Sequence, residues 1–411
     1  MKKVLEVTLG ILTAIGGFVD MGDLVANAET GARFKLSLAW VVVLGVIGIV
    51  VYAEMAGRVA TLSKRPVFDL VRERLGARMA LVNLLASFFI NLLTLVAEIA
   101  GMAFVLMLVT GVNYLVFIPL LGFLLWLLIW RVRFSTLEKT FGLLGLTLIV
   151  FVVALWRLGP DWGTLFHQAL HPVSTKPTTE DWPAYCYFGI ALLGAAMTPY
   201  EVFFFSSGAV EERWTPRDLM VNRANVYIGF PLGGVLSLAI MFLASIILAP
   251  RGISVESLGG VALPVVVILG KVGLAVLLFG MFMAIGGAAL EVSLSAGYTI
   301  AQYFGWQWGK FVAPKDAPRF HLVVILGILF AVLVGLTTVD PVKVTEYSIV
   351  LSAAALPLTY FPILIIANDP DYMGEKTNSR VLNAIAFTFL VILVIVSVAT
   401  IPLMIITKAG A

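Results

Sequence analysis

Charge is scarce in this chain. Of its 411 residues, only 12% are Asp, Glu, Lys or Arg, whereas 61% are hydrophobic. A soluble globular chain is roughly a quarter charged, so this sequence cannot cover its surface with polar side chains, and we expect lipid to be its solvent. The formal net charge of +3 is too small to indicate a nucleic-acid partner. These absences point to an all-α polytopic membrane protein.

Cysteine and histidine are scarcer still. The single cysteine, Cys186, excludes an internal disulfide framework and a cysteine-based metal site. His167, His171 and His321 are too few and too scattered for a histidine-rich metal cluster. Two common kinds of resident metal centre are therefore excluded.

Long apolar runs are abundant. A membrane-spanning helix needs about 20 mainly apolar residues, and eleven segments qualify, which we number as spans 1 to 11. They are roughly 5–28, 36–61, 80–110, 114–131, 135–156, 183–211, 224–249, 264–303, 320–339, 344–367 and 382–407. With the N-terminus in the cytoplasm, nineteen Lys and Arg residues fall in inside segments and seven in outside segments. The positive-inside rule predicts a multi-pass protein of the cell (inner or plasma) membrane, with its N-terminus cytoplasmic and its C-terminus outside.

Acidic residues lie inside these spans, where ionisable groups are costly and usually mark a pathway. They are Asp20, Asp23, Glu29, Glu54, Glu98, Glu201, Glu211, Glu212 and Glu291. Apart from Lys271, near the start of span 8, no basic residue lies deep enough to neutralise them. A surplus of buried carboxylates needs a cation or must be protonated. For Glu54 and Glu291 we expect a bracing role instead.

Two of the acidic spans also carry helix-breaking sequences. Span 1 contains the glycine-rich run 16–23, and span 6 contains the run 194–201 with Pro199. Glycine tolerates unwound backbone and proline removes a helical hydrogen bond; unwound backbone at membrane depth lines a cavity or is buried in protein. Because the interrupted spans are the first and the sixth, we predict two inverted five-helix repeats, 1–157 and 183–367, plus an eleventh helix, 382–407. The cargo site would lie at the repeat interface.

The same residues resemble the Nramp family of divalent metal transporters. The run 20–23, Asp-Met-Gly-Asp, stands where that family has Asp-Pro-Gly-Asn, and 198–200, Thr-Pro-Tyr, stands where it has Met-Pro-His. Leu-Glu-Lys at 137–139 and the segment 368–375, which ends in Met-Gly-Glu, are also similar to the family. The resemblance runs nearly end to end and implies a LeuT-like fold.

The resemblance also implies a metal site formed by Asp20, Asp23, the Ala195 carbonyl and Thr198. Glu201 adds a third acid beside the second break. Compared with the family, Asp23 replaces a neutral asparagine and Thr198 replaces a soft thioether. Oxygen ligands favour magnesium, calcium and manganese over softer metals. The pattern resembles the prokaryotic Nramp-related magnesium transporter branch. We therefore predict magnesium as the substrate, with manganese also accepted and the ion keeping some of its water.

Three further residues bear on the mechanism. Tyr200 stands where the family has a span 6 histidine, and Glu98 is what remains of a span 3 acidic pair. With few proton carriers left, we predict facilitated entry by alternating access without proton coupling, in which Glu98 either takes a proton or braces helices. Met197 is an open alternative, because a shift in the break would turn its sulfur toward the ion.

Competing functions are a proton-coupled manganese transporter and an amino-acid transporter of the same fold. Three acids would repel a substrate carboxylate, which disfavours the second. An intramembrane enzyme with paired acids is a more distant reading, since no hydrolase or transferase motif accompanies them. We expect no enzyme activity, no cofactor and no obligatory protein partner beside the metal substrate and the lipid bilayer.

Overall fold

The computed structural model describes residues 11, 15, 18–132, 134–170, 182–337 and 340–410. Throughout these residues the regular structure is helical, and ten segments are long and apolar enough to cross a membrane. They correspond to predicted spans 2 to 11, so the all-helical, multi-pass prediction is confirmed. Most of the first half of span 1, including the predicted Gly16 and Gly17, lies outside the described residues.

The helices have the following bounds. The second half of span 1 is Met21–Phe34, span 2 is Ala39–Ser63, span 3 is Val67–Thr110 and span 4 is Tyr114–Arg131. Span 5 comprises Phe134–Gly145, Leu146–Ile149 and Val150–Leu158, and span 6 comprises Trp182–Ala196 and Pro199–Glu211. Span 7 runs from Leu219–Ala224 through the π-helical turn Asn225–Gly229 to Phe230–Ile247. Spans 8 to 11 are Leu258–Phe304, Pro318–Gly335, Pro341–Ala367 and Arg380–Ile406, with short helices at Trp162–Leu170 and Pro370–Met373.

Spans 3 and 8 each contain a glycine hinge that hydropathy did not predict. Gly76 has φ +84° and Gly270 has φ +65°, in the left-handed region where a side chain is strained. Span 8 is therefore bent at Gly270 rather than continuing as one straight helix. Past the two hinges, 77–110 and 271–304 are helices of equal length.

Close backbone contacts hold the two interrupted spans. The second half of span 1 packs on span 7, and the second half of span 6 packs on span 2. A Cβ at Gly31 would lie 2.4 Å from the carbonyl oxygen of Met241, and one at Gly194 would lie 2.1 Å from the carbonyl oxygen of Ile349. Only glycine allows these approaches, so span 1 is fixed against span 7 near the end of its second half, and span 6 is fixed against span 10 just before its break.

Buried charges near the ends of the helices are paired. Arg58 Nε lies 3.1 Å from Glu54 Oε1, and its side chain also donates to Asn378 Oδ1 at 2.6 Å. Lys310 Nζ donates to Glu212 Oε1 at 3.2 Å. Glu54 thus has the bracing contact expected of it.

Candidate functional site

Span 1 is interrupted at Val19 and Asp20, within the run that the glycines indicated. The helix resumes at Met21, and Asp20 caps it, because its Oδ1 accepts from the backbone N–H of Asp23 at 2.9 Å. A carboxylate at this position satisfies a free amide and faces the positive end of the helix dipole. The break therefore fixes a carboxylate among buried helices.

Span 6 is interrupted at Met197 and Thr198, the position that Pro199 indicated. Thr198 has extended backbone, with φ −61° and ψ +132°. Pro199 begins the next helix. At this first position a backbone N–H would have no acceptor within the helix, so a proline is tolerated. The freed carbonyl of Met197 accepts from the Tyr360 hydroxyl at 3.0 Å. The span 6 break is thus stabilised by a side chain far away in the sequence, whereas Asp20 caps the span 1 break locally.

Two residues predicted for the pathway meet the break in span 1. The Tyr200 hydroxyl donates to Asp20 Oδ2 at 3.2 Å. Glu98 Oε1 accepts from the backbone N–H of Met21 at 3.2 Å. Span 3 therefore brings a second carboxylate to the helix start that Asp20 caps, and both carboxylates are at most 2% exposed.

Asp23 faces a different neighbour. Its Oδ2 accepts from the Ser237 hydroxyl of span 7 at 2.7 Å, and its Oδ1 accepts from the Asn27 side-chain amide at 2.9 Å. Two neutral donors therefore stabilise this carboxylate on the side of span 1 that packs on span 7.

A small cavity of about 10 Å³ lies beside Asp20. It is about large enough for one water-sized sphere. Its lining residues are Asp20, Gly22, Thr94, Ala97, Glu98, Thr198, Thr345, Ser348, Ile349 and Ser352. Within the described part of the chain, two oxygens of this lining have no hydrogen-bond partner, Glu98 Oε2 and Ser352 Oγ. The cavity is thus lined by oxygens and still has unused acceptors.

The structure brings together only part of the predicted ligand set. Asp20 and Thr198 line the cavity, whereas Asp23, Ala195 and Glu201 are not among its lining residues. Glu201 is 4% exposed, and its Oε1 has no hydrogen-bond partner among the described residues. Within those residues, no three Asp, Glu, His or Cys side chains are arranged to hold a metal ion. In this conformation the acids surround the breaks without converging on one point.

The Met197 sulfur is directed elsewhere. A Cβ at Gly48 of span 2 would lie 2.6 Å from that sulfur, and Met197 is not among the residues that line the cavity. Met21 packs similarly, with its sulfur 3.0 Å from a Cβ placed at Gly101. In this conformation, therefore, neither methionine sulfur adds a soft ligand to the oxygen atoms that line the cavity.

Sequence reasoning missed the hydroxyls of span 10. No residue of this span was predicted as a ligand, but Ser348 and Ser352 line the cavity. Ser348 Oγ lies 2.8 Å from Thr94 Oγ1 of span 3. The signal was present as hydroxyl residues three and four positions apart, which share one helix face.

The whole chain is similar to known membrane proteins. A profile of the Nramp family, described as natural resistance-associated macrophage protein-like, matches residues 10–402. The match takes in both interrupted spans and the hydroxyls of span 10.

Solved structures share this architecture. The manganese transporter of Eremococcus coleocola, bound to an aromatic bis-isothiourea substituted compound, has a TM-score of 0.72 at 17% identity, with 96% of this chain and 86% of that chain covered. A nucleobase-cation-symport-1 family transporter in a closed conformation has a TM-score of 0.60 at 14% identity, with 97% and 92% covered. A Na⁺-coupled sialic acid symporter has a TM-score of 0.52 at 13% identity, with 97% and 95% covered. At such identities the likeness establishes the fold, which is LeuT-like as predicted.

Proposed function

The chain belongs to the Nramp family, and from that premise we propose that it transports a divalent metal cation across the membrane by alternating access. The observation that carries this proposal is the carboxylate of Asp20, which is 2% exposed, lies at the break in span 1 and lines a cavity with Glu98 and with Thr198 of the span 6 break. A similar fold is known in a manganese transporter. The chain is a transporter rather than an enzyme, and the metal is its substrate.

The charge balance around the cavity supports a cationic substrate. Its lining has two carboxylates, and no Lys, Arg or His is among the described residues that form it. Carboxylates removed from water without a positive partner are strongly destabilising. A divalent cation supplies the missing charge, so the empty transporter and the loaded transporter differ in how well these acids are compensated.

Magnesium is the substrate that this lining favours, with manganese also accepted. The cavity offers two carboxylates and five hydroxyls, and Thr198 takes the place of the family's thioether. Hard oxygen donors suit magnesium and manganese. A cavity of about 10 Å³ is too small for a magnesium ion with its full water shell. The ion would therefore shed water, or bind in a more open conformation, in which Asp23, Glu201 and the Ala195 carbonyl complete the site.

Transport without proton coupling is the second part of the proposal. Tyr200 stands where the family has histidine, and its hydroxyl is already bonded to Asp20. An inside-negative membrane potential contributes about 2.3 kcal/mol per charge per 100 mV, which is enough to drive entry of a divalent ion. A proton-coupled manganese transporter is the second candidate. Glu98 Oε2, which has no hydrogen-bond partner among the described residues, favours it, since a proton could reside there.

The topology completes the proposal. We place the N-terminus in the cytoplasm and the C-terminus outside, in the cell membrane, with inverted repeats at 1–157 and 183–367. The packing of spans supports the repeats, because the first span of each repeat packs on the second span of the other. Span 1 packs on span 7, and span 6 packs on span 2. The hinges at Gly76 and Gly270 also recur in the third span of each repeat.

Uptake into proteoliposomes tests these points together. We expect magnesium to enter under an inside-negative potential, manganese to compete with it, cadmium to enter weakly, and a pH-sensitive dye inside to remain unchanged. Vesicles containing Asp20→Asn protein are the matched control. Cadmium or iron flux without magnesium flux would refute the magnesium assignment. Acidification in step with metal uptake would support the proton-coupled candidate, and the absence of any divalent flux would refute transport itself.

A further inference from the structure

Span 10 presents a stripe of hydroxyls to the cavity. Thr345, Ser348 and Ser352 are three and four residues apart, so they share one face of the helix, and all three line the cavity. Each is at most 3% exposed. The stripe lies in a mainly apolar span, where buried polar groups need a partner.

Two of the three hydroxyls have that partner within the protein. Thr345 donates to the carbonyl of Pro341 at 2.7 Å, and Ser348 shares a hydrogen bond of 2.8 Å with Thr94. Ser352 differs from both. Its Oγ has no partner among the described residues, although the side chain is only 1% exposed.

An unmade hydrogen bond at Ser352 requires an explanation. Leaving a buried hydroxyl unsatisfied is destabilising, and a serine in a helix can usually bond to the carbonyl one turn earlier. Glu98 Oε2 lines the same cavity and is also unpartnered. Within the described residues, two buried oxygens on this small cavity therefore lack a partner and are available to an occupant of the cavity.

From this geometry we propose that Ser352 supplies a neutral oxygen ligand to the transported cation and, with Thr198, sets the preference for hard over soft metals. The inference rests on the proposed transport function and adds a ligand from span 10 to it. A hydroxyl is a hard donor of the kind that magnesium and manganese accept. Span 10 thus takes part in metal selection as well as in packing.

The chain offers a matched control for this role. Thr359 lies seven residues beyond Ser352 on the same helix, and its Oγ1 is likewise buried, at 1% exposure, and unpartnered among the described residues. Thr359 is not among the residues that line the cavity. Replacing the hydroxyl of Ser352 with a thiol should therefore alter metal selection, while a thiol in place of the Thr359 hydroxyl should not.

The test exchanges oxygen for sulfur at the two positions. Ser352→Cys places a soft ligand of similar size at the cavity, so we expect the ratio of cadmium to magnesium uptake to rise about tenfold, because softer ligands favour softer metals. Thr359→Cys should leave that ratio unchanged. Ser352→Ala, which removes only one oxygen, should raise the KM for manganese about tenfold and weaken manganese binding to the detergent-solubilised protein to the same extent.

The outcomes separate this inference from the proposed function. If the wild type takes up no divalent metal, transport itself is refuted. If the wild type transports but Ser352→Ala and Ser352→Cys keep its KM and metal ranking, Ser352 is not a ligand. An equal shift in Thr359→Cys would also overturn the assignment, because the thiol would then act without contacting the cavity. Ser352→Ala binding data decide the question if Ser352→Cys does not fold.

Discussion

Buried acids occur in two settings in this molecule, and they differ in what neutralises them. Near the helix ends, Glu54 and Asp369 each lie within 3.1 Å of a cationic nitrogen, from Arg58 and Arg74. At the helix breaks, the described donors to Asp20 and Asp23 are a tyrosine, a serine, an asparagine and a backbone amide, all of them neutral. The first group is compensated by basic side chains, whereas no basic side chain among the described residues pairs with the second.

This difference separates structural acids from acids that serve transport. A buried ion pair is complete without a ligand, and removing one partner leaves an isolated charge that destabilises the fold. A buried carboxylate held by neutral donors keeps most of its capacity for a cation. Burial and residue type are alike in both settings, so the partner alone distinguishes their roles.

The largest effect on transport should come from Asp20→Asn. Asparagine keeps an oxygen to cap the helix at the N–H of Asp23 but removes the negative charge. We expect metal uptake to fall more than about a hundredfold, since outer-shell changes alone cost about 10–100-fold at metal sites. The thermal unfolding midpoint should stay the same or rise, because an uncompensated buried charge has gone. Uptake close to the wild-type rate would show that Asp20 is not a ligand.

Glu54→Gln should lower stability and leave transport nearly unchanged, the opposite of Asp20→Asn. It leaves Arg58 buried, with 6% of its side chain exposed, and without its charge partner. Breaking a buried pair costs about 3–5 kcal/mol, so we expect a large drop in the unfolding midpoint in detergent. Uptake per folded molecule should change little. The double variant Glu54→Gln/Arg58→Met is the control and should recover much of the stability; if it does not, the pair is not what stabilises this end.

An intermediate effect is expected for Glu98→Gln. Glutamine keeps an acceptor for the N–H of Met21 and removes one of the two charges that line the cavity. We expect uptake to fall about tenfold, the lower range for a supporting group at a metal site, with stability retained. The same variant also tests whether proton movement is coupled to metal uptake. If the wild type moves protons with the metal and this variant does not, Glu98 is the proton carrier.

The sequence predicted the frame of this site better than its contacts. Spans 2 to 11 and both breaks follow from hydropathy, glycine and Pro199, which are local properties. The bond between Ser237 and Asp23, and the one between Met21 and Glu98, join residues far apart in the chain. No local pattern specifies such pairs, since they depend on how the helices are packed.

The hinges and the serine ligand escaped prediction for related reasons. Gly270 lies in an apolar run and reads as helix, because a positive φ is set by tertiary structure rather than by composition. Ser352 was not predicted because a single hydroxyl in an apolar span gives no local signal of what it faces. In the structure its hydroxyl has no partner among the described residues and lines the same cavity as the Glu98 carboxylate.

The smallest effect should come from an ion pair that lacks burial. Arg65 and Glu73 are 2.5 Å apart, but their side chains are 38% and 49% exposed. Exposed pairs contribute about 0–1 kcal/mol, because water already solvates both charges. Glu73→Gln should therefore shift the unfolding midpoint far less than Glu54→Gln and leave uptake unchanged, when both variants are measured in the same detergent. A loss of stability as large as that of Glu54→Gln would mean that pairing, rather than the burial of the pair, determines which acids the fold depends on.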